Sequence, residues 1–131
     1  FTAGLKAGFI YNTFPLMHGE FMPTGIIELI PVWRNLVEGG IAVQFIHRMI
    51  AWCLIIIIPL MWFAVKSSSK SLWQKKSANA LLIMLLIQFT LGILTLINQV
   101  PTHLASMHQV GAFFLFTCSI FLCHSLRQEA D

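Results

Sequence analysis

Charge is what this sequence has least of. Only 10% of its 131 residues are Asp, Glu, Lys or Arg, against about 25% in soluble domains, and that shortage excludes a water-soluble globule. Cysteine is sparse too. Cys53, Cys118 and Cys123 lie in apolar segments with no C-x-x-C spacing, which argues against a zinc site or a disulfide framework. They read as small core residues. The chain opens on Phe1 with no Met, so a piece of a longer protein is expected. What is present is apolar: 57% hydrophobic residues, 11 Phe and 4 Trp, with a mean hydropathy of +0.80. That much apolar surface excludes disorder. At roughly 20 residues per membrane span, the length holds three or four spanning helices.

The net charge of +3 raises the question of nucleic acid, and the placement of the charge answers it. Lys66, Lys70, Lys75 and Lys76 share one short stretch, KSSSKSLWQKKS, between apolar runs. This is the positive-inside pattern of a cytoplasmic loop, not a basic face that tracks a nucleic-acid backbone. Residues 1–14 are apolar but too short to span, and Lys6 and the flanks do not fit a signal peptide. They read as the end of a truncated transmembrane helix. Residues 15–40, with three Pro and four Gly and an acidic balance, form an outer loop with room for a short interfacial helix within 24–35. Residues 41–126 then hold three spans, over 41–65, 78–97 and 104–126, and 127–131 form an inner tail. Pro59 lies inside the first span, where membrane helices tolerate it. The expected fold is all-α, a polytopic membrane protein built as an up-and-down helix bundle.

Two of the five histidines fall inside spans, where an ionisable side chain marks a functional site by default. His47 lies 19 residues before Lys66, and His108 lies 19 residues before Arg127. At 1.5 Å of rise per residue each is roughly 28 Å above the inner boundary. The first and third spans run in the same direction, so two parallel helices present imidazoles at one height, near the outer face. That suits two axial ligands to a haem iron, both neutral. Ala51, Ala112 and Gly111, about one turn below, would let a flat macrocycle approach. A single intramembrane histidine is as often a packing contact as a ligand; a matched pair tips the balance toward a shared ligand. Gln88, Gly92, Thr95 and Gln99 form one face of the second span, and such a stripe more often packs helices than touches a cofactor. His18 and His103 fall in outer loops, where solvation suffices, and His124 has no histidine at its depth. Arg48, costly at the centre of a span, either snorkels to the interface or pairs with a haem propionate.

Four stretches carry a family likeness: AGLKAGFIYNTFPLM (3–17), NLVEGGIAVQFIHRMIAW (35–52), QFTLGILTLINQVP (88–101) and HLASMHQVGA (103–112). With them the sequence resembles the haem A synthases of the alphaproteobacterial and mitochondrial type, membrane enzymes that convert haem O to haem A for cytochrome oxidase. The resemblance implies an eight-helix protein of two similar halves, of which this chain is most of the C-terminal one. It implies that His47 and His108 are the axial ligands of a haem b, a bis-His iron, with Arg48 and Gln44 beside the cofactor. In the N-terminal half of the family a Glu precedes a ligand histidine by three residues. Here that position is Gln44, which cannot act as a general base, so no catalytic residue is assigned in this chain. After YNTFPLM, His18 stands where the family implies an acidic residue.

The function so implied is the haem b-binding half of an oxidoreductase. Its partners would be haem O, membrane lipid, the missing N-terminal half, and haem O synthase or an electron donor; nucleic acid is excluded. The membrane would be a bacterial or mitochondrial inner membrane, with His47 and His108 toward the periplasmic or intermembrane side. The alternatives are a non-catalytic b-type cytochrome subunit and a transporter fragment in which the histidines only pack.

Overall fold

Apolar runs of more than 20 residues have no stable conformation in lipid other than a helix that bonds its own backbone, and three such helices dominate the molecule. The computed structural model describes residues 4–69 and 71–127. Helix α1 is Gly40–Ser68, α2 is Leu72–Ile97 and α3 is Thr102–Arg127. Each is long and apolar enough to cross a membrane, and the chain is an integral membrane protein. Among the described residues no β-strand occurs beyond an isolated bridge between Met17 and Glu20.

The helices outrun the apolar segments. α1 continues through Pro59 to Ser68 and α2 begins at Leu72, so Lys66, Lys75 and Lys76 lie on helical turns rather than in an extended loop. Lys70 is outside the described residues, as are 1–3 and most of the expected tail, 128–131. Hydropathy marks where a helix leaves the lipid, and backbone bonding carries the helix beyond that point. At its other end α2 stops at Asn98, whose side chain bonds the Leu94 carbonyl. Gln99 and Val100 then take positive φ angles of 59° and 56°, Pro101 follows, and α3 starts.

α2 lies in the middle, packed along α3 and along α1, whereas α1 and α3 barely meet. At the lysine end the three helices close on an apolar core of Ile58, Val65, Ala78, Leu81, Leu85 and Leu122. Polar pairs sit within it: Gln74 donates to the Ser125 carbonyl at 3.0 Å, and the Ser77 and Ser125 hydroxyls meet at 3.0 Å. Trp62 of α1 bonds Asn79 of α2 at 2.7 Å. The cysteines depart from expectation. Cys118 packs against the core, but Cys53 and Cys123 are on the outside, and all three are free thiols.

The segment before α1 has little regular structure. Ala7–Phe9 and Val32–Leu36 are short 3₁₀ helices, the second at the end of the stretch expected to be interfacial. A tight turn at His18 and Gly19, both with positive φ, closes the Met17–Glu20 bridge. Residues 28–35 are held by Asn35, which is buried. Its Oδ1 accepts from the Glu28 and Leu29 amides, and its Nδ2 donates to the Leu29 and Val32 carbonyls. All four of its hydrogen-bonding positions are used.

Candidate functional site: a histidine pair above an apolar core

The stripe of α1 that builds the core, Leu54, Ile58 and Val65, continues at helical spacing to His47. The stripe of α3 that bears Leu122, Cys118 and Leu115 continues to His108. Both imidazoles therefore top the same buried faces, seven residues from the start of α1 at Gly40 and six from the start of α3 at Thr102. The structure brings them together: their ring centroids are 6.2 Å apart and their planes are inclined at 80°. His47 is exposed and His108 half-buried.

α2 supplies the seat for His108. A Cβ at Gly92 would fall 2.9 Å from Cε1 of His108, so the imidazole occupies the space a side chain there would need. Gln88, one turn earlier, is buried and donates from Nε2 to the His108 carbonyl at 2.8 Å. Thr95 is buried as well but bonds its own helix at Leu91, and Gln99 lies beyond the helix and is exposed. The polar stripe of α2 is thus a packing face that touches one histidine. Gly111 belongs to that interface too. It faces Gln88 and Met84 of α2, not the gap between α1 and α3, while Ala112 is exposed and Ala51 half-buried. An apolar groove of about 360 Å³ between α2 and α3 runs past Leu91, Val110, Gly111 and Phe114, and neither histidine lines it.

The other two predicted site residues turn to a different partner. Arg48 is buried, 7% exposed. Its Nη1 donates to the Thr13 carbonyl at 2.8 Å and its Nη2 to the Tyr11 carbonyl at 2.9 Å. Gln44, one turn away, donates to the same Tyr11 carbonyl at 2.9 Å. Asn12, to which the sequence assigned nothing, reaches across to the Leu96 carbonyl of α2 at 3.0 Å. A lone amide in an apolar stretch was the available signal. Four buried polar atoms here have no hydrogen-bond partner: Gln44 Oε1, Arg48 Nε, Gln88 Oε1 and His108 Nδ1. His18 stands apart, exposed, with its ring against Tyr11 at 4.9 Å. His103 and His124 are exposed at the two ends of α3.

The donor set decides what such a site can hold. Among the described residues no third His, Cys, Asp or Glu joins the pair. A bare transition-metal ion usually takes three or four protein ligands, which this site does not offer. A metal that brings its own four equatorial nitrogens, as in a porphyrin, needs only two more. A metal held by both imidazoles through bonds of about 2 Å would be compatible with the 6.2 Å between their ring centroids. The partnerless Nδ1 of His108 leaves hydrogen-bonding capacity unspent at the same place. The residues present fit a haem.

Fold and site together define a membrane helix bundle that carries a pair of facing imidazoles toward one end. The chain matches the COX15-CtaA family, described as cytochrome oxidase assembly protein, over residues 1–120, and it belongs to that family. It is 45% identical to the haem A synthase of Nitrosospira multiformis over 98% of its own length. It is 47% identical to that of Nitrosomonas eutropha over 95%, and 40% identical to that of Wolbachia pipientis over its whole length. In each case it covers 35–36% of the relative, so the chain spans about a third of the length of these curated relatives. No solved structure matches it.

Proposed function

We propose that this chain is the C-terminal, haem b-binding part of a haem A synthase, with His47 and His108 as axial ligands of the iron. The observation that carries the reading is the pair itself: two imidazoles from parallel helices, 6.2 Å apart, with no third protein donor among the described residues. Family membership supports it. When bound, the haem would supply one-electron chemistry at its iron. The chain's own residues would hold it: His47 and His108 through their imidazoles, with Gly92 leaving room for the His108 ring and Gln88 bonding the His108 backbone carbonyl.

The oxidation of haem O is proposed to occur in the remainder of the protein. Gln44 accounts for that division, because an amide anchored on the Tyr11 carbonyl neither accepts nor stores a proton at neutral pH. Four lysines near one end of the helices orient the bundle by the positive-inside rule. The histidine pair is accordingly placed toward the outer side of a bacterial or mitochondrial inner membrane. Haem O as substrate, and haem O synthase or an electron donor as partner, belong to the same proposal.

The test is spectroscopic. Full-length protein in detergent should show a low-spin b-type spectrum from this half, and His47→Ala and His108→Ala should each abolish it. Retention of that signal in both variants would refute the ligand assignment. A packing role for the histidines predicts a loss of stability with no change in haem content.

A further inference from the structure

The segment 11–16 has no secondary structure of its own, yet it lies against two membrane helices. Its carbonyls cannot stay unbonded in apolar surroundings. The structure shows what satisfies them. Arg48 takes the Thr13 and Tyr11 carbonyls with separate Nη atoms, and approaches that of Leu16 at 3.4 Å. Gln44 takes Tyr11 again. Asn12 ties the segment to α2, and Phe14 stacks on Trp52 of α1 at 5.7 Å with Phe89 of α2 at its edge. Arg48 directly follows His47, so the clamp is built on the turn that carries the histidine.

Both Nη atoms of Arg48 donate to backbone carbonyls of the segment, and its Nε is buried without a partner. A haem propionate that took the Nη atoms would compete with the Tyr11 and Thr13 carbonyls for this guanidinium. We propose that Arg48 is a positioning residue: it latches segment 11–16 onto α1 and α2, and the latch, not a direct bond to the cofactor, controls how long haem stays on the His47–His108 pair. The consequence for haem rests on the haem b reading above; the latch itself does not.

Two measurements on the full-length protein in detergent separate these points. In apo-protein, Arg48→Gln should speed amide hydrogen exchange at residues 11–18 by about tenfold or more, the loss expected when a charge-assisted hydrogen bond goes. Arg48→Lys, which reaches one carbonyl at a time, should fall between. Unchanged exchange in Arg48→Gln would refute the latch whatever the haem does. In holoprotein, Arg48→Gln should accelerate haem transfer to an external acceptor by a similar factor, with the low-spin spectrum kept. It should do so equally for haem b and for its dimethyl ester, which has no free propionate. An acceleration confined to the free acid would overturn the proposal and make Arg48 a propionate ligand. Asn12→Ala loosens the same segment from its α2 side and leaves the charge in place. It carries the test if Arg48→Gln fails to fold, and unchanged exchange and haem release in that variant would count against the latch.

Discussion

Gly92 has no side chain, and the imidazole of His108 takes the space. Gly→Ala in a helix interior gains about 1 kcal/mol of propensity, and here it brings a methyl group within 2.9 Å of the ring. The two effects act on different observables. Gly92→Ala should leave the thermal unfolding midpoint nearly unchanged, because the ring end of a side chain can swing aside. It should lower haem occupancy several-fold, since the ring then leaves its position facing His47. Gly92→Leu should remove haem altogether. Equal haem-to-protein ratios in wild type and Gly92→Leu would show that the seat does not matter. Asn35 makes a different point. Its four bonds hold the backbone of 28–35, and Asn35→Leu, which removes all four from part-buried backbone groups, should cost about 1–3 kcal/mol in total in detergent unfolding.

At the scale of elements, α2 is the centre of the molecule, and its contacts with α3 rank by physics rather than by appearance. The Ser77–Ser125 hydroxyl pair looks like the stronger tie, yet interhelical hydrogen bonds in membranes average about 0.6 kcal/mol. Gly111 leaves the space that the ends of the Gln88 and Met84 side chains fill, and a Cβ there would collide with Gln88 Oε1. Overpacking costs about 1–3 kcal/mol, so Gly111→Leu should lower the unfolding midpoint more than Ser125→Ala. The reverse order would show that polar contacts dominate this interface. The element scale also explains what could be read from sequence. The three helices and the meeting of His47 with His108 were legible because both follow from apolar length and a fixed rise per residue. Cys53 and Cys123 were misread because the lipid-facing side of a membrane helix is as apolar as its core, so composition does not tell the two apart. Gly111 was assigned to the cofactor gap on nearness in sequence, whereas the helical turn points it at α2. The arrangement of residues 4–39 was not legible, since side chains of Asn35, Arg48 and Gln44 bonding distant carbonyls hold it, and no periodicity encodes such bonds.

For the whole molecule, the proposed orientation rests on the few charges. Replacing Lys66, Lys70, Lys75 and Lys76 with Gln and adding two lysines between residues 98 and 101 should invert part of the population, read by a topology reporter fused after Asp131. A reporter signal unchanged by the swap would mean that the rest of the protein, not this loop, orients the bundle. The unequal placement of the histidines along the helices has an electrical meaning. His108 is six residues from the start of α3, about 9 Å of rise in a hydrocarbon layer of about 30 Å. One elementary charge crossing the full layer works against about 2.3 kcal/mol per 100 mV. On the haem reading proposed above, an electron reaching the pair from the near end would cross at most about a third of that field, some 0.8 kcal/mol per 100 mV. One arriving from the lysine end would face two thirds or more, past the apolar core. On the same haem reading, the pair would exchange electrons with the nearer end of the bundle, and its redox equilibrium should respond only weakly to the membrane voltage.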